Sequence, residues 1–171
     1  LPVRINQDIP LVKYILKELI RLSNEREEVL DNTFIENYTQ GYDNLLQDLN
    51  RYDTDALLQR AGLEKAEVQK AVDWIAASEN VIICWAMGLT QHKNGVETIR
   101  EYVNLLLLKG AVGKPFAGTC PVRGHSNVQG DRSVGIQHFV DPALNQRIRE
   151  HFGFDPPEKK GVDVVEAIQA M

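Results

Sequence analysis

The sequence predicts an α/β fold that is rich in helices and carries few strands of its own. Two observations point there. Helical spacing of apolar residues recurs through most of the first eighty positions, and then VIICWA, Val81 to Ala86, breaks the period as a continuous apolar run with β-branched residues and a tryptophan. That run lies between two helical patterns, AEVQKAVDWIAAS and GVETIREYVNLLLL, which together make most of an α/β unit. A third observation bounds the size: 171 residues at 43% hydrophobic content suffice for one domain, or for parts of two.

The elements follow in order. DIPLVKYILKELIRL opens with Asp8 as the expected N-cap and Pro10 in the first turn, and its apolar residues Leu11, Ile15, Leu19 and Leu22 share one face. DNTFIENYTQ and GYDNLLQDLNR read as two short helices divided at Gly41, with Phe34, Ile35, Tyr38, Leu45, Leu46 and Leu49 as core candidates. TDALLQRAG is expected to begin on a Thr54 cap and stop at Gly62. LEKAEVQKAVDWIAASEN sets Val68, Val72 and Ile75 on one face. VIICWA reads as a strand buried on both faces, as in a parallel sheet. One strand makes no sheet, so its neighbours would come from outside this sequence, unless the run is a turn of buried helix.

GVETIREYVNLLLLKG resumes the helical period at Val96, Ile99, Val103, Leu106 and Leu107. From Ala111 to about Gly135, glycine and proline are dense and no element is predicted. DPALNQRIREHFG is a helix capped by Asp141, FDPPEKKG a turn-rich connection, and GVDVVEAIQAM the region of a last helix.

Bulk numbers exclude several function classes. A net charge of -5 and a pI near 5.4 argue against nucleic-acid binding. No run of about 18 apolar residues is present, so no membrane span is expected. The sequence begins at Leu1 without a readable targeting signal, and a cytoplasmic location is expected. Cys84 and Cys120 stand far apart in sequence and fit no CxxC or zinc spacing, so both read as reduced structural thiols, Cys84 as a small buried hydrophobe.

Two loops carry the chemistry. In open α/β sheets ligands sit off the carboxyl ends of strands, where Gly88 stands here. Thr90, Gln91, His92, Lys93 and Asn94 then supply hydroxyl, amide, imidazole and ammonium groups suited to a phosphate or a heterocycle. The spacing is not G-x-G-x-x-G, which disfavours an ordinary NAD site. The second loop, CPVRGHSNVQGDRS, brings the planar donor fork of Arg123, a close backbone approach at Gly124, and the polar groups of His125, Asn127 and Gln129. Both loops are expected to face one ligand.

The continuous order CWAMGLTQHKNGVETIREYVNLLLLKGAVGKPFAGTCPVRGHSNVQGD resembles the molybdopterin oxidoreductases, in particular the formate dehydrogenase alpha-subunit-like branch. The resemblance is continuous from about Val81 to Gly135, and PVRINQDIPLVKYILKELI is similar to a family helix that follows a strand and binding loop. It implies an interior slice of a longer enzyme, a fragment of a Rossmann-like molybdopterin-binding domain. Residues 1–122 would be part of an α/β cofactor-binding domain, and 123–171 a loop and the start of the adjoining α/β domain. The implied cofactor is bis-molybdopterin guanine dinucleotide carrying molybdenum. Met87, Gly88, Leu89, Thr90 and Gln91 would touch it, as would Arg123, Gly124, Ser126 and Asn127.

Arg123 and His125 are the implied catalytic residues, Arg123 by positioning a small anionic substrate such as formate. A guanidinium beside a metal attracts a carboxylate and offers it paired donors. RGHSN departs from the family's RGQNN, and an imidazole can titrate near neutral pH where an amide cannot. The implied partners are the remaining domains of the parent enzyme and an electron-transfer partner. The family's metal-ligating residue has no counterpart in this sequence, so the 171 residues alone are expected to bind no metal and to be inactive. A helical protein-interaction module without catalysis is the alternative reading, since short helices and an acidic surface are compatible with it. A self-contained nucleotide-binding enzyme fits less well, for want of a phosphate-binding fingerprint.

Overall fold

The computed structural model describes residues 1–139 and 141–171. They form two compact units, Leu1–Arg123 and Gly124–Met171. The first holds α1 (Asp8–Ser23), a short 3-10 turn (Glu27–Val29), α2 (Asn32–Tyr38), α3 (Tyr42–Leu49), α4 (Thr54–Ala61) and α5 (Lys65–Ala77). Next come β1 (Ile82–Trp85), the single turn α6 (Met87–Thr90), α7 (Gly95–Leu108) and β2 (Gly118–Pro121). The second unit holds α8 (Val128–Ser133), α9 (Pro142–Phe152) and α10 (Val164–Ala170).

In the first unit α1 is the central helix, packed against α4, α5 and α7. Neighbours on several sides bury more than the single face its spacing predicts: Val12, Tyr14 and Leu16 are fully buried beside Leu11, Ile15 and Leu19. Lys13, also buried, meets Glu101 at 3.2 Å, pairs with Asp48, and lies 4.6 Å from the centre of the Tyr52 ring. Desolvation alone would lower its pKa, but the two carboxylates outweigh it and raise the value. Lys109 follows α7 and donates to the carbonyls of Val29 at 3.0 Å and Ala76 at 3.2 Å.

Most helices begin and end where their capping chemistry allows. Gly62, Gly153 and Gly41 take the left-handed conformation at helix ends. Asp141 accepts from the backbone N–H of Ala143, and Asp163 forms a capping box with Glu166. Two caps differ from expectation by one residue. Asp53, not Thr54, accepts from Ala56 at 2.8 Å, because an extended Asp53 aims its carboxylate at the free N–H groups. At α1 the N-cap is Gln7, without a side-chain bond, and Asp8 lies inside the first turn.

Three larger expectations are corrected. VIICWA does form a strand, but not one buried on both faces: Ile82 is 54% exposed, Cys84 is exposed, and only Ile83 and Trp85 turn partly inward. The strand has one partner among the described residues, and a two-stranded sheet leaves one face and its outer edges uncovered. That partner is β2, from the stretch where no element was expected. It pairs in parallel with Ile82 opposite Gly118, Ile83 opposite Thr119, Cys84 opposite Cys120 and Trp85 opposite Pro121. The same stretch also forms α8, so its glycines and prolines punctuate short elements instead of one long loop.

On α7, Thr98, Leu105, Leu106 and Leu108 face the core while Val96 is 62% exposed, which turns the helix away from the face its apolar spacing suggests. Tyr38 is likewise exposed, its ring resting on Phe34 at a centroid distance of 5.3 Å.

The second unit is thinner. Asn145 is buried and donates to the carbonyl of Pro157 at 3.0 Å, and Arg149 ties α9 to Asp155 at 2.8 Å and to Glu158. Phe152, Phe154, Val164 and Ile168 remain exposed. Among the described residues no helix is long and apolar enough to cross a membrane.

Candidate functional site

The candidate site is built at the carboxyl end of β1. Pairing with β2 stops at Trp85 and Pro121, and the N–H of Val122 donates to the carbonyl of Trp85 at 2.7 Å, so both chains leave the sheet side by side. After Trp85, an extended Ala86 leads into the single turn α6. Its last bond runs from the N–H of Gln91 to the carbonyl of Met87 at 3.0 Å. Four residues later α7 begins, with Thr98 donating its backbone N–H to Asn94.

Beside this strand end, the first residues of the chain make a turn into α1. The N–H of Arg4 donates to Ala61 at 3.0 Å, that of Gln7 to Arg4 at 3.0 Å, and Asn6 takes a left-handed φ of 62°. Asparagine tolerates that region better than most side chains. The turn and the strand end flank an open cleft of about 570 Å³. From β1 and the following loop it is lined by Cys84, Trp85, Ala86, Gly88, Leu89 and His92. From the other side it is lined by Val3, Arg4, Ile5, Asn6 and Asp8, with Tyr102 of α7. Burial first, and the Asp8 carboxylate second, push the Tyr102 phenol up to about 12.

Of the residues expected to touch a cofactor, Gly88 and Leu89 line this cleft, and His92 joins them. Met87, Thr90 and Gln91 are exposed on the same turn but lie outside the lining. The amide of Gln91 points back toward the Met87 sulfur at 3.5 Å. Arg123 ends the first unit and Gly124 begins the second, and Arg123, Gly124, His125, Ser126 and Asn127 are all exposed. None of these five lines the cleft. Asn127 packs under α8, where its amide would meet a side chain at Gly130.

Arg4, Asn6, Asp8 and Tyr102 were not among the expected site residues. The signal for the first three was present in RINQD, a turn-forming segment directly before a helix. Tyr102 carries none, because a single tyrosine within an amphipathic helix is ordinary core patterning.

The glycines supply an independent indication. Seven of the twelve have positive φ and are explained by backbone conformation. Among the other five, a Cβ on Gly95 or Gly161 would approach backbone atoms to 2.7 or 3.2 Å, so packing explains them, and one on Gly130 would meet the Asn127 side chain at 2.3 Å. Gly88 and Gly124 alone have neither reason: φ is not positive, and a Cβ would meet nothing within 4 Å among the described residues. Gly88 stands in the first polar loop and Gly124 in the second, which also holds Gly130.

Among the described residues, no group of three or more His, Cys, Asp or Glu side chains is arranged to hold a metal ion. The lining of the cleft offers donors, a carboxylate and an aromatic wall.

No family model matches the chain. Among curated proteins it is similar to Protein YdeP of Escherichia coli (strain K12), 40% identical over 174 residues, which covers 99% of this chain and 23% of that protein. An uncharacterized oxidoreductase of Mycobacterium tuberculosis (strain ATCC 25618 / H37Rv) is 43% identical over 156 residues, covering 88% of this chain and 20% of that one. Formate dehydrogenase H of Escherichia coli (strain K12) is 32% identical over 137 residues, covering 75% of this chain and 19% of that one.

These relatives support an oxidoreductase family for the chain. The chain spans about a fifth of the length of the curated relatives it matches. Most of the length of each of those relatives lies outside the matched segment, and the likeness to a formate dehydrogenase is a partial one.

Proposed function

We propose that the chain forms one wall of the bis-molybdopterin guanine dinucleotide site of a formate dehydrogenase-like oxidoreductase. The observation that carries this reading is the pair of glycines, Gly88 and Gly124, which the fold itself does not require. A glycine that neither conformation nor packing explains leaves room for something outside the chain, here at the carboxyl end of a parallel strand where α/β proteins bind their ligands.

The residues of the cleft fit part of such a group. Its volume of about 570 Å³ lies within the range of about 300–1,000 Å³ for small-ligand sites, enough for a portion of a dinucleotide. Arg4 and His92 offer cationic or donor groups to phosphate oxygens, Asn6 and Asp8 offer partners to a purine edge, and Trp85 offers a flat apolar surface. Met87, Thr90 and Gln91 flank the same turn and would reach the outer parts of the ligand. When bound, the cofactor supplies a metal that accepts two electrons from the substrate.

The loop from Arg123 to Asn127 takes the second part of the proposal. Arg123 leaves β2 immediately after Val122, whose N–H is fixed to Trp85, so the root of this loop is held by the strand that opens the cleft. In this reading the guanidinium of Arg123 would orient a small carboxylate such as formate, Gly124, Ser126 and Asn127 would meet the cofactor, and the His125 imidazole would hold or release a proton beside the substrate.

The test uses a polypeptide of the relatives' full length and the variant Arg123→Lys, with molybdenum content and formate oxidation measured on one preparation. Lysine keeps the charge and loses the planar fork, so full metal occupancy with kcat/KM lowered roughly ten- to a hundredfold is expected. Unchanged kinetics at full occupancy would remove the substrate role. Reduced occupancy with unchanged activity per molybdenum would assign Arg123 to the cofactor alone.

A further inference from the structure

The two cysteines, 36 positions apart in sequence, are register partners: Cys84 of β1 lies directly opposite Cys120 of β2 in the parallel pair. Both are exposed and free. Directly opposed residues on neighbouring strands project from the same side of the pleat, so the two thiols share one sheet face. Neighbouring strands lie about 4.7–4.9 Å apart, inside the Cα window of about 4.4–6.8 Å that a disulfide spans. Neither side chain belongs to the core, and Cys84 also lines the cleft.

We infer that Cys84 and Cys120 form a reversible disulfide across β1 and β2, which makes this strand pair a thiol–disulfide exchange site at the mouth of the cleft. The inference is independent of what the cleft binds. The oxidant is a low-molecular-weight disulfide such as oxidised glutathione. One cysteine thiolate attacks a glutathione sulfur, forms a mixed disulfide and releases one glutathione thiolate. The second cysteine, deprotonated, then attacks the protein sulfur of that mixed disulfide and expels the second glutathione. Two protein thiols are oxidised and one disulfide is reduced to two thiols, with both protons passing to the departing glutathiones.

The position gives the bond its effect. Cys84 lies one residue before Trp85, and Cys120 one residue before Pro121, where the pairing ends. A covalent link there joins the strands at the roots of both polar loops, and it adds a cross-link to a sheet that has only two strands among the described residues. Local desolvation first, and the neighbouring Cys120 thiol second, push the Cys84 pKa up, so exchange should accelerate as the medium becomes more alkaline.

The experiment treats the chain with oxidised glutathione and follows free thiols by titration and intact mass by spectrometry. The expected result for the wild type is loss of both free thiols and of the mass of two hydrogens, with no adduct, reversed by dithiothreitol. Cys84→Ser and Cys120→Ser, conservative changes at exposed positions, should each hold one stable glutathione adduct instead. Two adducts on the wild type, disulfide-linked dimers, or retention of both thiols under conditions that modify either variant would each overturn the inference.

Discussion

Tyr102 shows how one residue serves both core and cleft. It sits on α7 at the cleft wall, partly packed against the core cluster, and burial together with Asp8 pushes its phenol to about 12 from an ordinary 10. The neutral form is thus favoured in the folded state. The stability this contributes is complete below pH 10 and is lost as pH rises from 10 toward about 12, because the unfolded chain releases the proton first. Burial raises Tyr14 and Tyr42 in the same direction, so the wild type alone does not isolate Tyr102. Comparing urea midpoints of the wild type and Tyr102→Phe across that range does. The variant should lose about 2 kcal/mol less than the wild type on going to the alkaline end. Parallel losses in both proteins would mean that the phenol titrates normally.

At the scale of elements, the informative contrast is between helix caps and strand environment. Asp53 and Thr54 were both chemically able to cap α4, and the structure selects Asp53. Asp53→Ala should therefore cost about 1 kcal/mol and lower the melting temperature by roughly 2–4 °C, whereas Thr54→Ala should cost little. Calorimetry on the two variants decides, and a larger loss for Thr54→Ala would reverse the assignment. The longer helices were legible because local chemistry determines them: Gly62 and Gly153 stop α4 and α9, and Asp141 and Asp163 start α9 and α10, whereas the short α6 and α8 fall where loops were expected. β1 was legible as a strand because of its β-branched run.

What failed was everything that depends on distant partners. The exposure of Ile82 follows from which strands flank it, and no property of VIICWA reports that. β2 was missed because GTCP has neither length nor period, and only its pairing with β1 makes it a strand. The site divides in the same way. The loop after β1 could be placed from Gly88, but its opposite wall comes from Arg4, Asn6 and Asp8, some eighty residues earlier, and only the folded chain brings the two together.

At the scale of the whole molecule, the first unit has a closed core around α1 and an open parallel strand pair, while the second unit leaves Phe152, Phe154, Val164 and Ile168 exposed. Parallel strands ordinarily occur in sheets covered on both faces. The chain spans about a fifth of the relatives' length, so an oxidoreductase-family segment is what the exposed strand pair and the comparisons together support.

The most direct test is to purify the polypeptide of the relatives' full length, wild type and Gly88→Leu, and to quantify molybdenum and the guanine nucleotide released by acid from each. A Cβ at position 88 meets nothing within 4 Å among the described residues and φ there is not positive, so in the 171-residue chain Gly88→Leu should leave thermal unfolding unchanged. If Gly88 is a glycine because the cofactor lies against it, the wild type will carry molybdenum with two guanine nucleotides per metal, and Gly88→Leu will have lost most of both, although the same substitution leaves the melting temperature of the 171-residue chain unchanged. A wild type without molybdenum and guanine nucleotide, or a Gly88→Leu protein that retains both in full, would contradict the assignment.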